Sequence, residues 1–565
     1  MKIKKLVTVS GLAFGMLSAM SSASAAPWSF GIMSDTQWKQ NVDGMNPETV
    51  AVGIIEQLNQ EFINHGVKFV IQVGDLADKE TDSTNGYPEN RTMDTRAAAA
   101  QTLYDAGICF FPLRGNHESS SAAANEMPLL FPQTGGEGYT CGASNFSSPF
   151  ETLQGLSYSF DYENATFVLL DQFTRKDGTN NNDTSNDNVI DQLDWIEAEL
   201  SDKSARSHGF VFSHKELIGA NHTDTLFGSN PAYNPDAQNE FYRILEENGV
   251  RYEIGGHDHN HARSIMLSPD GEHSLQNIIT ASNSYKFYTP KVPSNDERYN
   301  LPAFGMLREA PISQELYTVG YYIVTVDGPR VTVDHYASDN GCGGTLGASV
   351  ACSLTVTPEL EMFKRETFGY SLNGREFRIA QGESYEVVAD SYKGTHARIL
   401  SGTNESTVTI MDGRATIKDV NTGWTSKYDA EPGCNGDDER KLASNILSLW
   451  GMGDLGEEQT DTYVLSMSYD KRPLHLGNGA FTLATKDADG NWVNAVDMNF
   501  GGNERFVMGP WKSGYELGTY GVDPRTKTVW AVINYEGDFA AARDIALVPV
   551  HRKERWHHHR HMAFR

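Results

Sequence analysis

Apolar runs and amphipathic segments alternate between Trp28 and Tyr336. Near-continuous apolar runs are typical of strands covered on both faces, and apolar residues spaced three or four apart indicate helices. The predicted strands are Trp28–Ser34, Val67–Val73, Ile108–Leu113, Leu156–Tyr162, Thr166–Leu170, Gly209–Ser213 and Tyr252–Ile254. The predicted helices are one from Pro47, with Asn46 as N-cap, to a stop at Gly66, and those at Arg91–Ala106, Val189–Leu200 and Asp236–Asn248. This alternation predicts an α/β core with parallel strands.

The pattern changes beyond Tyr336. The segment 338–353 is rich in Gly, Ala, Ser and Cys, which indicates a domain boundary. The β-rich runs that follow include Ser384–Ala389, Thr407–Met411, Tyr463–Ser468 and Thr528–Asn534. We predict a first domain over 26–338, a linker over 339–355 and a mostly antiparallel β domain, with a sandwich as its candidate arrangement, over 356–550. Within it, Asp487–Asn491 resembles part of a calcium loop but lacks the downstream Glu, so a hairpin turn is favoured.

Both ends of the chain differ from the rest. Lys2, Lys4 and Lys5 precede an apolar stretch, and Ala23-Ser24-Ala25 fits the cleavage pattern of a signal peptide. We therefore expect residues 1–25 to be removed on secretion across the inner membrane, which gives a periplasmic or extracellular protein without a transmembrane span. The basic, His-rich tail at 551–565 is most simply solvated, with metal or anionic-surface binding as the alternative.

Composition is that of a soluble globular protein, with a formal net charge of -28. That charge argues against binding to nucleic-acid duplexes, which needs a basic surface. Of the five cysteines, Cys342 and Cys352 are the favoured disulfide pair, and Cys109 lies in an apolar run that predicts a buried core residue. Cys141 and Cys434 would pair if their loops meet.

Five polar segments each follow a predicted strand. They are Ser34–Gln37, Gly74–Asp78, Gly115–Glu118, Ser213-His214 and Gly256–His259. Because ligands bind beyond the carboxyl ends of parallel strands, these segments are candidates for one shared site. Their carboxylate, amide and imidazole groups suit divalent metals such as Zn, Fe or Mn. The sequence contains neither a Gly-x-Ser-x-Gly elbow nor a phosphate-binding loop, which disfavours serine hydrolysis and nucleotide-driven work.

In this order the five segments resemble the motif blocks of the calcineurin-like metallophosphoesterase family, over about residues 28–336. Those blocks are Asp-x-His, Gly-Asp-x-x-Asp, Gly-Asn-His-Asp/Glu, a His and Gly-His-x-His. The resemblance implies an αββα sandwich that holds two divalent metal ions, Mn, Fe or Zn. It implies that the first metal is held by Asp35, Gln37, Asp75 and His259, and the second by Asp75, Asn116, His214 and His257. It also implies that His117 faces the leaving group and that Asp78 orients His117.

Gln37 departs from the family pattern, which usually has His at this position. A carboxamide oxygen is a harder and weaker donor than imidazole. We therefore expect the first site to favour manganese or magnesium over zinc more than a histidine-containing site would.

The resemblance implies a phosphoesterase that hydrolyses a small-molecule or nucleotide phosphomonoester or phosphodiester by attack of a metal-bound hydroxide. Together with the predicted signal peptide, this indicates an exported enzyme. The alternative is an exported surface or binding protein that keeps the scaffold with little turnover, its function carried by the C-terminal β domain through an unknown partner. We expect the loops 119–155, 214–235 and 283–316 to set the substrate. Residues that follow the motif blocks could line this pocket or be solvated; they are Asn221, His222, His261, Tyr285 and Lys286.

Overall fold

The computed structural model describes most of the chain between residues 26 and 543. The described ranges are 26–37, 50–78, 92–180, 188–204, 207–217, 219–228, 234–284, 286–290, 308–339, 350–351, 357–372, 377–380, 389–390, 395–401, 417–425, 427, 442–453, 458–469 and 481–543. The predicted signal peptide and the predicted basic tail lie outside these ranges. Within them, none of the helices combines the length and the apolar composition that crossing a bilayer requires.

Helices and strands alternate in the N-terminal part of the molecule, and strands dominate the C-terminal part. The helices are α1 (Val52–His65), α2 (Thr92–Ala99), α3 (Gln101–Asp105), α4 (Ser121–Leu130), α5 (Leu193–Asp202) and α6 (Pro235–Glu247). The first strands are β1 (Trp28–Met33), β2 (Phe69–Val73), β3 (Cys109–Leu113), β4 (Ser144–Ser147), β5 (Tyr158–Tyr162), β6 (Ala165–Leu170), β7 (His208–Ser213), β8 (Tyr252–Gly255), β9 (His261–Leu267), β10 (Ser274–Ile279), β11 (Lys286–Phe287), β12 (Glu309–Glu315), β13 (Thr318–Asp327), β14 (Arg330–Asp339), β15 (Val350–Ala351) and β16 (Phe363–Ser371). The later strands are β17 (Phe377–Ala380), β18 (Ala389–Asp390), β19 (His396–Ser401), β20 (Ile417–Thr425), β21 (Ile446–Trp450), β22 (Gln459–Ser468), β23 (Phe481–Lys486), β24 (Trp492–Asn494), β25 (Arg505–Met508), β26 (Thr519–Asp523), β27 (Thr528–Tyr535) and β28 (Gly537–Arg543).

Two sheets form the N-terminal part of the molecule. The first has the strand order β16-β14-β13-β1-β2-β3, and the second has the order β12-β9-β10-β8-β7-β6-β5-β4. Strands β1, β2 and β3 run parallel in the first sheet, as do β6, β7, β8 and β10 in the second. The flanking strands are antiparallel. The predicted α/β class is confirmed.

Strand side chains alternate between two apolar cores, because successive residues of a strand point to opposite faces. On β2, Phe69 and Ile71 pack between the two sheets, while Val70 packs with helices α1 to α4. On β6, Phe167 packs between the sheets and Val168 packs with α5 and α6. The layers are therefore helices, sheet, sheet and helices, which is the predicted αββα sandwich and explains the near-continuous apolar runs.

Two predicted helices differ from the observed ones. Helix α1 begins at Val52 rather than Pro47, because Val50 forms a β-bridge with Gln37. It ends at Gly66, whose φ of 66° is the left-handed cap that glycine allows. The predicted helix Arg91–Ala106 is two helices, separated at Ala100, whose N–H donates to the Ala97 carbonyl three residues back.

The C-terminal part is a β-sandwich. One sheet has the order β17-β20-β21-β28-β23-β24 and the other has the order β18-β19-β22-β27-β26-β25. Apolar side chains from both sheets, such as Leu449 and Leu465, share one core. The predicted hairpin at 487–491 joins β23 to β24, and its Asp487 carboxylate accepts the backbone N–H groups of Asp489 and Asn491. The predicted runs Thr407–Met411 and most of Ser384–Ala389 lie outside the described residues.

The two parts meet along the edge of the first sheet. Strand β16 lies in the segment predicted as the separate β domain, yet it pairs with β14. On the neighbouring strand β14, Arg330 donates to Asp538 and Ser448 of the sandwich at 2.9 and 2.7 Å. The first sheet therefore extends past the predicted linker.

One disulfide joins Cys109 of β3 to Cys141 in the loop before β4. The prediction that Cys109 is buried is confirmed. Its thiol is not free, however, because the loop that carries Cys141 returns to β3 and the two residues form a disulfide. Cys342, Cys352 and Cys434 lie outside the described residues, so the favoured Cys342–Cys352 pair stays a prediction.

We expect the double variant Cys109→Ala/Cys141→Ala to lose about 3 to 4 kcal/mol of unfolding free energy, because the crosslink closes a loop of about thirty residues. Denaturant unfolding of both proteins measures the difference. A reductant should destabilise the wild type more than the double variant, which lacks this crosslink. Equal unfolding midpoints for the two oxidised proteins would contradict this expectation.

Candidate metal centre

The polar segments that follow the parallel strands meet at one end of the sandwich. Asp35 and Asp75 follow β1 and β2 of the first sheet, and His214 and His257 follow β7 and β8 of the second. His214 Nε2 lies 3.2 Å from Asp75 Oδ1, and the His257 backbone N–H donates to the Asp35 carboxylate. The carboxyl ends of both sheets therefore build one shared site.

Asp75 is common to two clusters of potential metal ligands. One cluster joins it to His214 and His257, and the other joins it to Asp35 and His259. In each cluster, one ligand atom per residue lies within 4.8 Å of the others, and all of these residues are buried. A carboxylate shared in this way is suited to bridge two metal ions.

Asn116 and Gln37 add carboxamides to the clusters. Asn116 Oδ1 lies 3.0 Å from His214 Nε2, and Gln37 Nε2 lies 2.8 Å from Asp75 Oδ2 and 2.9 Å from His259 Nε2. The Gln37 Oε1 atom is buried and has no hydrogen-bond partner among the described residues. A half-turn of the carboxamide would direct this oxygen at the same two neighbours. The donor set of carboxylate, carboxamide and imidazole therefore fits divalent metals.

Four of the predicted ligands have a left-handed backbone. The φ angles are 52° at Asp35, 46° at Asp75, 67° at His257 and 51° at His259. Such conformations are uncommon for residues with a Cβ atom, and they cluster at functional sites where the surrounding structure enforces them. The backbone is therefore strained at residues that the motif segments predict to bind metal.

Two glycines make room for these ligands. A Cβ atom on Gly115 would meet the side chain and the backbone nitrogen of Asp75, and one on Gly256 would lie 2.8 Å from Asp35 Oδ2. Both motif glycines are thus required by close approach of neighbouring chain segments.

Two of the histidines are tethered to backbone carbonyls. The Nδ1 atom of His214 lies 2.9 Å from the Val73 carbonyl oxygen, and that of His259 lies 2.8 Å from the Lys286 carbonyl oxygen. When Nδ1 donates its proton to a carbonyl, the Nε2 lone pair is free for a metal. In both residues Nε2 faces the acidic cluster, since it lies 3.2 Å from Asp75 and 3.4 Å from Asp35, respectively.

His117 lies at the edge of the cluster, with a side chain that is 20% exposed. Its Nδ1 lies 3.0 Å from the carbonyl oxygen and 3.3 Å from the carboxylate of Asp78, while Nε2 lies 3.8 Å from Asp75 Oδ2. Burial acts to lower the pKa of His117, but the Asp75 and Asp78 contacts outweigh it and raise the pKa to about 9. These contacts suit the predicted orienting role of Asp78.

Burial disfavours the ionised form of both carboxylates, Asp35 and Asp75. Burial raises the pKa of Asp35 to about 7, with a further contribution from the negative charge of Asp75. Burial acts in the same direction on Asp75, but His214 and His117 hold its pKa well below the usual value. Additional positive charge would favour ionisation of both groups, and bound cations are one source of it.

The structure divides the five residues that were candidates for the pocket. His222 and Lys286 are partly exposed beside the cluster: the His222 ring lies 4.1 Å from that of His257, and the Lys286 ammonium lies over the Tyr288 ring. Asn221 binds the Thr289 carbonyl. The prediction that His261 lines the pocket is wrong. His261 is the first residue of β9 and is fully buried against Tyr322 and Glu366. Tyr285 lies outside the described residues.

Two acidic residues that received no role from the sequence hold the segments together. Glu118 accepts the backbone N–H groups of Ala77 at 2.8 Å and Gly115 at 3.0 Å, and so joins two motif segments. Asp258 accepts the backbone N–H of His222 at 3.0 Å and contacts its Nδ1 at 2.5 Å. Both lie inside motif segments, and this position was the signal that could have found them.

Asp224 was also missed. Its Oδ1 lies 3.4 Å from His257 Nε2, and its Oδ2 pairs with Lys215 Nζ at 2.9 Å. It lies ten residues after the His214 motif, and sequence offers no indication that the loop returns.

One known protein family matches the part of the chain that carries these segments. The model of the calcineurin-like phosphoesterase family matches residues 29–261. No curated protein sequence matches the chain.

Several solved structures resemble the chain at low identity. A purple acid phosphatase from yellow lupin seeds is 14% identical over 60% of this chain and 57% of its own, with a TM-score of 0.36. GAP50, the anchor in the inner membrane complex of Plasmodium, is 13% identical over 59% of this chain and 91% of its own, with a TM-score of 0.32. A protein described as a putative 5'-nucleotidase from Staphylococcus aureus is 14% identical over 53% of this chain and 51% of its own, with a TM-score of 0.29. The chain thus spans little more than half of the length of the lupin protein.

The family match covers the strands and loops that carry Asp35, Asp75, Asn116, His214 and His257. The five motif segments, their order and their convergence agree with it. Residues 29–261, which lie in a sandwich whose sheets continue into later strands, therefore belong to the calcineurin-like phosphoesterase family.

Proposed function

We propose that the chain is an exported, metal-dependent phosphoesterase that hydrolyses a small-molecule or nucleotide phosphomonoester or phosphodiester. The observation that carries this proposal is the buried Asp75, shared by two clusters of potential metal ligands. The family match supports the phosphoester as substrate class.

Two divalent ions, Mn, Fe or Zn, fit the site. When bound, such ions lower the pKa of a water molecule and offset the charge on phosphoryl oxygens. One ion would be held by Asp35, Gln37, Asp75 and His259, and the other by Asp75, Asn116, His214 and His257.

The residues of the chain at the edge of the cluster suit an anionic substrate. His117 donates from Nδ1 to Asp78, so Nε2 is the nitrogen left to hold a proton for the leaving-group oxygen. Burial lowers the pKa of His259, and the positive charge of Lys286 lowers it further. Both groups are cations on the partly exposed side of the site.

Export is part of the proposal. The predicted signal peptide at 1–25 supports it, and so does the Cys109–Cys141 disulfide, because disulfides persist in oxidising compartments.

We expect the purified mature protein to hold about two divalent ions per chain. Asp75→Asn should lose most of both, because Asp75 belongs to both clusters, while His214→Ala should keep one weakened site. Elemental analysis after gel filtration measures the content. Asp78→Asn is the matched control, since Asp78 contacts His117 and is not a predicted ligand. A wild type that is purified without metal and takes up none from added manganese would contradict the dinuclear site.

We expect His117→Ala to keep its metal but to lose ~10²-fold or more in kcat on phenyl and alkyl phosphates. The loss should be smaller on nitrophenyl phosphates, whose leaving group needs little protonation. Steady-state assays with mono- and diesters of both kinds test this. Equal losses would rule out the acid role, and a wild type without turnover on any ester would favour the alternative binding function.

We expect the secreted protein to begin at Ala26. Expression of the full chain in a Gram-negative host, followed by mass spectrometry of the periplasmic fraction, measures the N-terminus. Ala25→Phe should block cleavage, because the site requires small residues. An uncleaved wild type confined to the cytoplasm would contradict export.

A further inference from the structure

The third histidine of the two clusters, His257, is tethered differently from the other two. His214 and His259 each direct Nδ1 at a backbone carbonyl. His257 instead directs Nε2 at a side chain, with Asp224 Oδ1 at 3.4 Å. If Nε2 donates its proton there, Nδ1 keeps the lone pair that a metal needs.

Asp224 is itself held in place. Its other oxygen pairs at 2.9 Å with Lys215 Nζ, and the Lys215 side chain is 1% exposed. The Lys215 ammonium also lies over the Phe173 ring, 5.4 Å from its centroid. A β-bridge between Thr225 and Gly228 closes the loop just after Asp224. The carboxylate is thus fixed by charge and by the loop.

The ring of His257 is restricted on its face as well. The His222 ring lies 4.1 Å away at an interplanar angle of 32°, and Asp258 holds His222 through its backbone N–H and its Nδ1. With His222 against the face and Asp224 at the edge, rotation of the His257 ring is opposed from two sides.

We propose that Asp224 is a positioning residue of the second metal site, which holds His257 with Nδ1 directed at the metal. The inference rests on the metal centre of the proposed function. Carboxylates that accept the free N–H of a metal-bound histidine fix its tautomer and orientation, and their loss typically weakens metal binding ~10- to 100-fold.

The test is a manganese titration of metal-free protein by calorimetry, with paramagnetic resonance to distinguish a coupled Mn pair from a single ion. The wild type should bind two ions. Asp224→Asn should bind the second ion ~10- to 100-fold more weakly and give a single-ion spectrum at the concentration that fills both wild-type sites. Asp224→Glu should recover part of the affinity. Asp202→Asn, which removes an exposed carboxylate at the end of α5, is the control and should match the wild type.

Asp224→Asn also leaves the buried Lys215 ammonium without this carboxylate, which could disturb the fold. The double variant Asp224→Asn/Lys215→Gln removes that charge, and melting by circular dichroism checks folding. Persistent weakening in the folded double variant supports the positioning role. Recovery of wild-type affinity in the double variant, or unchanged affinity in Asp224→Asn, would overturn it.

Metal binding and hydrolysis are separate readouts. A wild type that binds two ions but hydrolyses no phosphoester would end the proposed function and leave the inference standing, provided that Asp224→Asn loses the second ion. A hydrolytic wild type whose Asp224→Asn variant binds both ions normally would end the inference alone. A wild type that binds none of manganese, iron and zinc would overturn both.

Discussion

The burial of Asp75 between groups of opposite charge is the constraint on which the site depends. An ionised carboxylate inside a protein is costly unless it is paired, and here His214 and His117 lie at 3.2 and 3.8 Å. The nearby Asp35 meets the same cost without an equal share of positive charge, and burial raises its pKa to about 7. This end of the sandwich therefore has more buried negative charge than the nearby side chains offset, and divalent cations can supply the missing positive charge.

That arrangement requires a rigid support, because the left-handed backbone at a non-glycine residue costs about 1 to 3 kcal/mol. The support is the aromatic core between the sheets, where Phe30 stacks on Phe69 and Phe167 stacks on Phe210. Phe30 also meets Phe167 edge to face across the interface. Since these aromatic contacts join the two sheets along the strands that carry the strained loops, the loops cannot relax independently.

The sequence predicted the parallel strands and the motif segments because both are local patterns. Apolar runs such as Val67–Val73 record burial on two faces, and each motif directly follows such a run. Long-range pairings leave no such record. The Cys109–Cys141 bridge, the return of β16 to the first sheet and the approach of Asp224 to His257 each depend on the path of a loop. The prediction for His261 failed for a different reason. His261 follows the Gly256–His259 segment closely, but it is already part of the buried strand β9.

The tethers of the histidines divide the site into a fixed part and a variable part. The Nδ1 atoms of His214 and His259 contact the backbone carbonyls of Val73 and Lys286. A substitution of the Val73 or Lys286 side chain leaves these carbonyls in place. His117 has both kinds of tether, since its Nδ1 lies 3.0 Å from the backbone carbonyl and 3.3 Å from the carboxylate of Asp78. His257 depends on the side chain of Asp224, which belongs to the loop that also carries His222 to the edge of the site. In the proposed function, a change of that loop that alters substrate contacts would therefore also alter the orientation of His257. The proposals thus predict that substrate choice and occupancy of the second metal site are coupled through the same short segment of chain.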